Sequence, residues 1–231
     1  MTKPEARIPG LFVTGTDTGV GKTYVAALIA RQLHRSGRRV GVYKPVASGC
    51  VEESGRLVSE DAQVLWEAAG RPGELERVCP QRFRAPVAPH LAAAEEGQQI
   101  DEDLLRRGIE YWQQQSEVIL VEGVGGLMCP LGDDIYVADL AHDFEYPLVV
   151  VARNALGTIN LTLQTLITAT AFCEGLPIAG VVLNRTSAAP DPSTAGNRKE
   201  LESRSGPPIL AEVAWGADRF DAEVDWMGLA R

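Results

Sequence analysis

The chain has 231 residues, 45% of them hydrophobic and 23% charged, which is enough for one large α/β domain with a substantial core. Its 31 acidic residues outnumber its 22 basic ones, and the formal charge of −9 argues against nucleic acid or an anionic membrane as a partner. The N-terminus has no apolar signal region and no apolar run approaches the ~18 residues of a membrane span, so we expect a cytoplasmic protein.

Apolar runs typical of buried strands alternate with helical patterns along the chain. The predicted strands are 11–14, 40–43, 118–121, 148–151, 178–183 and 209–213. The predicted helices are 23–36, 60–69, 101–115 and 159–174, with a shorter one around 197–204. This alternation predicts an α/β fold in which a mostly parallel sheet carries helices on both faces, as a single domain over residues 1–231.

The remaining segments carry weaker signals. Residues 71–96 contain four prolines, and we expect this irregular segment to cover the carboxyl edge of the sheet as a candidate substrate wall. Four cysteines are widely separated and have no histidine beside them, so they are predicted to be reduced packing residues: Cys50, Cys79, Cys129 and Cys173. The histidines at 34, 90 and 142 are isolated and are predicted to lie on helix surfaces or loops.

A glycine-rich segment links the first predicted strand to the first predicted helix. Residues 15–23 read Gly-Thr-Asp-Thr-Gly-Val-Gly-Lys-Thr, one residue longer than G-x-x-x-x-G-K-[ST], because Thr16 stands where the first glycine is usual. Backbone N–H groups in such a loop bind phosphate, Lys22 would reach the β and γ phosphates, and the Thr23 hydroxyl would ligate Mg²⁺. The alternative is a tight turn with a solvated Lys22. The motif predicts a P-loop NTPase-like fold.

Three further charged residues occupy positions suited to nucleotide chemistry. Glu122 ends the third strand before the glycine-rich run 123–126, where it could hold Mg²⁺; the alternative is a strand-end acid facing water. Lys44 ends the second strand and could reach a γ-phosphate, although its position alone favours an exposed loop lysine. Asp61 fits a metal ligand and a first-turn helix acid after Ser59 equally well.

Together these segments resemble the dethiobiotin synthetases, the ATP-dependent ligases that form the ureido ring in biotin biosynthesis. The resemblance runs from Val13 to about Trp215, and its specific parts are the long P-loop 15–23, the segment 43–49 and the segment 121–126. It implies that a homodimer converts 7,8-diaminopelargonic acid, CO₂ and ATP into dethiobiotin, ADP and phosphate.

The resemblance implies which residues hold the nucleotide and its metal. Lys22 and Lys44 would be the catalytic residues that stabilise the transferring phosphoryl group, and Thr23, Asp61 and Glu122 would gather Mg²⁺. The residues expected to bind ATP with Mg²⁺ are Gly19, Val20, Gly21, Lys22, Thr23, Tyr24, Asp61, Glu122, Gly123, Val124, Gly125, Asn184 and Arg185.

It also implies contacts to the other substrate and to adenine. Thr18 and Ser48 would contact substrate, and Asn160 would receive the substrate carboxylate at a helix start across a dimer interface. Asn184 matches a strand-end asparagine that reads adenine, since its amide can both donate and accept hydrogen bonds.

Two positions depart from the family pattern. Gly19 stands where some members have glutamate, so any role of an acid at that position is absent here. Ala214 stands where proline is common in the adenine pocket, and this second departure allows a relaxed nucleotide preference.

One rival class is a regulatory or partitioning ATPase that acts through partner binding. Such switches usually carry a lysine early in the loop, where this chain has Asp17.

Overall fold

A computed structural model describes residues 7–230, in which strands and helices alternate along the chain. The strands are β1 (Gly10–Gly15), β2 (Val40–Tyr43), β3 (Val46–Ala47), β4 (Val51–Glu53), β5 (Arg56–Val58), β6 (Gln81–Arg82), β7 (Val118–Glu122), β8 (Leu148–Arg153), β9 (Ile178–Asn184) and β10 (Ile209–Val213). The helices are α1 (Lys22–Arg35), α2 (Glu60–Ala68), α3 (Leu75–Val78), α4 (Pro89–Glu95), α5 (Glu102–Arg107), α6 (Glu110–Gln113), α7 (Val137–Phe144), α8 (Thr158–Ala171), α9 (Thr194–Arg204) and α10 (Trp226–Leu229).

Six strands form one parallel sheet in the order β10-β9-β8-β1-β7-β2. All six residues of β1 and all five of β7 are buried, as expected for strands covered on both faces. The predicted α/β fold and its six strands are confirmed, each strand lying within one or two residues of its predicted bounds.

The strand order places the phosphate-binding loop at the middle of the sheet. The connection after β1 leads to the edge strand β2, whereas β8, β9 and β10 extend the sheet in the other direction. In open α/β sheets, the point where the strand order reverses direction is called a switch point, and a crevice forms there outside the carboxyl ends of the strands. The segments that follow β1, β2, β7 and β8 therefore meet at one edge.

One predicted helix is divided in the structure. The segment 101–115 forms α5 and α6, with an interruption around Gly108. The buried Tyr43 hydroxyl donates to the carbonyls of Leu104 (2.9 Å) and Leu105 (3.0 Å) at this point. A Cβ at position 108 would lie 2.2 Å from that hydroxyl oxygen, so the close approach of Tyr43 requires glycine there.

Other elements were absent from the sequence analysis or bounded differently. Helix α7 and the β4–β5 hairpin had no predicted counterpart, and the segment 71–96 contains α3, β6 and α4 rather than only irregular chain. Helix α8 ends three residues before its predicted end. Cys173 therefore lies beyond the helix with φ 50° and is exposed, so its prediction as a packing residue is wrong, whereas Cys50 and Cys79 are buried.

The last part of the described chain returns across α1. Trp226 is 2% exposed, packs at a 50° tilt against Phe220 with ring centroids 5.0 Å apart, and donates its indole N–H to Gln32 Oε1 (3.0 Å). None of the helices within residues 7–230 combines the length and the apolar character needed to cross a membrane.

Candidate active site

The segment 15–23 forms a loop that turns sharply from β1 into α1. Gly19 has φ 72° and Gly21 has φ 87°, a left-handed conformation that favours glycine. A Cβ at position 21 would lie 2.1 Å from the Asn184 amide nitrogen, so this glycine is also required by a close approach. Lys22 is 8% exposed, and its ammonium donates across the loop to the Asp17 carbonyl (3.2 Å).

A second lysine lies between two carboxylates at the same edge. Lys44 is 2% exposed, and its Nζ lies 2.7 Å from Glu122 Oε1 and 3.1 Å from Asp61 Oδ2. The Thr23 hydroxyl donates to the same Glu122 oxygen (2.8 Å), which ties the first turn of α1 to the end of β7. The structure thus brings together Lys44, Asp61, Glu122 and Thr23 from four separate segments.

Burial and charge act in opposite directions on these groups. Burial alone lowers the pKa of Lys44, but the charges of Glu122 and Asp61 outweigh it, and the pKa of this ammonium is raised. The pKa of Asp61 is lowered, because Lys44 and the Thr23 hydroxyl together outweigh its partial burial. Burial lowers the pKa of Lys22, against the attraction of Glu122. The lysine held by two carboxylates therefore stays charged at neutral pH.

The oxygen atoms of this cluster fit a hard divalent cation. Glu122 Oε2 is buried and has no hydrogen-bond partner within residues 7–230, which is costly for a carboxylate oxygen unless a ligand satisfies it. Asp61 and Thr23 add further oxygens beside it. Carboxylate and hydroxyl oxygens are the ligands that Mg²⁺ takes next to nucleotide phosphates.

The glycine-rich run after Glu122 packs against the P-loop. A Cβ at Gly125, which has φ 61°, would lie 2.9 Å from Cys129 and 3.7 Å from the Thr18 hydroxyl. A Cβ at Gly126 would lie 3.4 Å from the Gly15 carbonyl. The two loops can therefore approach each other closely, and the exposed Thr18 side chain lies beside this junction.

Asn184, expected to read adenine, ends β9, and two other residues expected to bind ATP, Arg185 and Tyr24, contact the segment at and after the end of β10. Asn184 is 3% exposed and donates its amide to the Val20 carbonyl (2.9 Å), while its Oδ1 is buried without a partner in the described part of the chain. Arg185 continues the sheet through a bond from its N–H to Val213 (2.9 Å). The Tyr24 hydroxyl donates to the Ala217 carbonyl. The support that Asn184 gives to the P-loop was not part of the sequence analysis.

The two other expected substrate contacts occupy different surroundings. Ser48 is half-buried on a loop that is hydrogen-bonded to the segment 81–85. The Phe83 N–H donates to the Ala47 carbonyl (2.9 Å), and the Cys50 N–H donates to the Phe83 carbonyl (2.9 Å). The segment 71–96 thus lies directly behind the loop that carries Ser48. Asn160 is exposed in the first turn of α8, where its side-chain oxygen accepts a hydrogen bond from Gln164 (3.4 Å). No hydrogen bond within residues 7–230 joins Asn160 to the charged cluster.

The sequence analysis also missed one residue that lines this edge. Cys129 is half-buried beside a cavity of about 300 Å³ that Thr16, Asp17 and Met128 also line, together with one face of α8. Burial raises the pKa of its thiol, although the Lys22 charge opposes this. The only sequence signal for this location of Cys129 was its position in the loop that follows β7, four residues after Gly125.

Comparisons with known proteins find one matching family model and several similar proteins. A family model described as an AAA domain matches residues 9–219. A protein of Rhodopirellula baltica named ATP-dependent dethiobiotin synthetase BioD is 43% identical over 215 residues, covering 87% of this chain and 82% of the relative. The protein of the same name from Aromatoleum aromaticum is 38% identical over 227 residues, covering 97% and 96%.

Among solved structures, a ParA family ATPase from Chlorobium tepidum superposes with a TM-score of 0.55 at 18% identity. The match covers 90% of this chain and 83% of that one. At this identity the likeness shows the shared fold alone.

Proposed function

The chain belongs to the family of ATP-dependent dethiobiotin synthetases, the ligases of biotin biosynthesis, and on that basis we propose how its sheet edge performs the reaction. The substrates are 7,8-diaminopelargonic acid, CO₂ and ATP, and the products are dethiobiotin, ADP and phosphate. The observation that carries the proposal is a buried ammonium, Lys44, held between Glu122 and Asp61 beside the P-loop.

The reaction needs positioning and charge neutralisation more than a protein nucleophile. One amine of the diamine adds to CO₂ and loses a proton to give a carbamate, and a carbamate oxygen attacks the γ-phosphorus as ADP departs. The second amine then attacks the carbonyl of this mixed anhydride, a new C–N bond closes the ring as phosphate leaves, and the nitrogen releases a proton. Steps of this kind are accelerated by holding reactants in line and by fixed positive charge.

Lys22 and Lys44 supply that fixed charge. Lys22 is close enough to the loop backbone to bond the Asp17 carbonyl, and phosphate oxygens would replace this carbonyl as its partner. Lys44 is charged and rigid because both carboxylates hold it, so little reorganisation is needed when negative charge develops on the transferring group. Mg²⁺, held by Thr23, Asp61 and Glu122, would neutralise part of the phosphate charge when bound.

The adenine and diamine subsites are assigned to the two sides of this centre. Asn184 and Arg185 lie with Tyr24 at the β9–β10 end and are proposed to surround the base. Thr18, in the P-loop, and Ser48, on the loop after β3, are proposed to contact the diamine. The N-terminal turn of α8, with Asn160, would receive the diamine carboxylate, because free N–H groups at a helix start favour an anion.

The carboxylate subsite is proposed to belong to the partner subunit of a homodimer. Apolar side chains on and near α8 are exposed, among them Leu156 (87%) and Ile167 (65%), which is consistent with a face covered by a second copy. We assign the enzyme to the cytoplasm, with no nucleic acid or membrane partner.

Phosphate release from MgATP with bicarbonate tests the proposed role of Lys44. We expect release by the wild type to depend on the diamine and to fall about 10²- to 10³-fold in Lys44→Ala, because one group that stabilises developing charge is lost. Lys199→Ala, at an exposed lysine of α9, is the matched control and should keep the wild-type rate. Diamine-independent hydrolysis would instead favour the partner-binding switch.

A further inference from the structure

A buried polar network joins β8, α9 and β10 behind the candidate site. Asn154 and Asn197 are each 4% exposed, and the Asn197 amide donates to Asn154 Oδ1 (2.8 Å). The Asn154 amide donates in turn to Glu212 Oε2 (3.1 Å). Nothing in the sequence analysis assigned a role to these three residues.

Glu212 is itself held from two sides. Its other carboxylate oxygen lies 3.8 Å from Arg198, which also pairs with Asp221 (3.1 Å) and with Glu202 (2.9 Å). Its backbone N–H donates to the Asp221 carboxylate (2.6 Å), and the Asp221 N–H donates back to the Glu212 carbonyl (3.1 Å). Because a carboxylate only accepts hydrogen bonds, Glu212 fixes the Asn154 amide with its NH₂ toward β10 and its oxygen toward Asn197.

The network is attached to the start of a short loop that faces the P-loop. Asn154 begins the connection from β8 to α8, and its backbone N–H donates to the Asn184 carbonyl (2.8 Å). A cavity of about 100 Å³ lies between this loop and the P-loop, and its lining includes Ala155, Leu156 and Thr158 on one side and Thr16, Asp17 and Val20 on the other. The Leu156 N–H donates to Asp191 (3.0 Å) at the far side of the same loop.

The loop ends where α8 begins. Gly157, with φ 94°, is the N-cap of α8, and Thr158 is its first residue. The Thr158 hydroxyl is buried and has no hydrogen-bond partner in the described residues, an orphaned polar group at the start of the helix. Only three residues, 155–157, link Asn154 to Thr158, so a shift of Asn154 would be passed directly to this first turn.

We propose that Asn154, oriented by Glu212 and Asn197, is a positioning residue that sets the first turn of α8 to receive the carboxylate of the diamine bound at the other subunit of the proposed homodimer. This rests on the proposed function, because the carboxylate subsite is part of it. Asn154 touches no reacting atom. It acts through the loop, so its loss should weaken diamine binding more than catalysis or ATP binding.

The first experiment separates KM from kcat. In Asn154→Ala we expect the KM for the diamine to rise about tenfold, with kcat and the KM for ATP within about threefold of wild type, because β1 and the P-loop keep their own contacts. Glu202→Gln is the matched control, since it removes another partner of Arg198 without touching Asn154, and its constants should stay unchanged.

The second experiment changes the charge while keeping the shape. Asn154→Asp places a carboxylate against Glu212, so one of the pair must be protonated to restore the bond. The other charged groups around the pair are Arg198, Asp221 and Asp191, with Glu202 beyond Arg198. We expect the diamine KM of this variant to approach wild type near about pH 6 and to rise toward about pH 8.5 relative to wild type at each pH.

A third variant tests rescue. Glu212→Gln keeps an oxygen that can accept from Asn154, so its diamine KM should stay closer to wild type than that of Asn154→Ala. Equal rises in the KM for diamine and for ATP in Asn154→Ala, or no rise in either, would overturn the proposal. It would also be overturned if the diamine KM of Asn154→Asp, relative to wild type, did not change with pH. A wild-type enzyme without diamine-dependent turnover would instead contradict the proposed function itself, so the two failures are distinguishable.

Discussion

A buried ammonium between two carboxylates is the charge centre of the site. Lys44 owes its position to backbone as well as side-chain contacts, because its N–H donates to the Val78 carbonyl (2.7 Å) while its Nζ pairs with Glu122 and Asp61. Breaking a buried pair by removing one partner is costly, since the other charge stays desolvated. Each of these three residues is therefore expected to contribute to stability in addition to its proposed role in the reaction.

The Asp61 pair gives stability a defined dependence on pH. Its lowered pKa means that the carboxylate stabilises the folded state above its unfolded pKa, near about 4, and that this contribution is lost as pH falls through the lower folded pKa. We expect the difference in unfolding free energy between wild type and Asp61→Asn to be constant from about pH 5 to 8 and to shrink below about pH 4.

Urea denaturation across this range is the measurement. Asp103→Asn is the control, because Asp103 is 80% exposed and pairs with Arg107 only at 3.7 Å on the surface, where such pairs contribute little. If the difference in unfolding free energy between wild type and Asp61→Asn stayed unchanged below about pH 4, that result would contradict the pairing of Asp61 with Lys44.

At this scale the sequence predicted the residue types but not their burial. The position of Lys44 alone favoured an exposed loop lysine, whereas its side chain is 3% exposed, because α3 and the start of α2 cover it. Asp61 fitted two interpretations equally, and the 3.1 Å contact with Lys44 favours the site interpretation. Contacts between segments far apart in the chain decide these cases, and local spacing does not contain them.

At the scale of single elements, the P-loop is the part most constrained by shape. Its last glycine lies against the Asn184 amide, which in turn supports the Val20 carbonyl. A side chain at this point would strain the backbone and displace a buried polar group at once.

Gly21→Ala should therefore reduce both stability and ATP affinity. Strain at φ 87° and the 2.1 Å approach to Asn184 lead us to expect a loss of about 2 kcal/mol or more in unfolding free energy, with ATP binding weakened at least about tenfold. Gly19→Ala is the control: its φ is 72°, but a Cβ at this position would have no atom of residues 7–230 within 4 Å, so a loss of only about 1 kcal/mol is expected. Equal effects of the two substitutions would contradict the packing described.

Elements were predicted well where burial on both sheet faces imposes an apolar run, and poorly elsewhere. The strands β7 and β8 are short, continuous apolar runs, and their positions follow directly. Helix α7 was missed because it has only eight residues and follows a long loop, and the β4–β5 hairpin was missed because β4 is fully exposed and has no apolar face. The division of 101–115 depends on Tyr43, which is distant in sequence.

At the scale of the whole molecule, the order of strands brings the P-loop and the charged cluster to the carboxyl edge of the sheet. The central β1 carries the P-loop, β7 on one side carries Glu122, and β8 on the other leads to α8. The topology was not predicted in detail, because apolar runs locate strands without giving their neighbours. It nevertheless follows the general rule that ligands bind beyond the carboxyl ends of parallel strands.

The proposed homodimer makes a prediction at this scale. Ile167→Lys places a charge on the exposed face of α8, and we expect the variant to become monomeric and to lose diamine affinity while still binding ATP. Val64→Lys, at an exposed position of α2, is the matched control and should remain dimeric. Sedimentation velocity measures the state, and a wild-type monomer with full activity would contradict the shared site.

The most direct test of the chemistry follows an oxygen atom from bicarbonate to phosphate. In single turnovers with freshly prepared ¹⁸O-bicarbonate, MgATP and diamine, carbamate phosphorylation predicts that the released phosphate carries one ¹⁸O for each labelled carbamate, together with an equal amount of dethiobiotin. Phosphate that takes its new oxygen from water would show that the γ-phosphate is simply hydrolysed. That result would contradict the proposal that this sheet edge phosphorylates a carbamate.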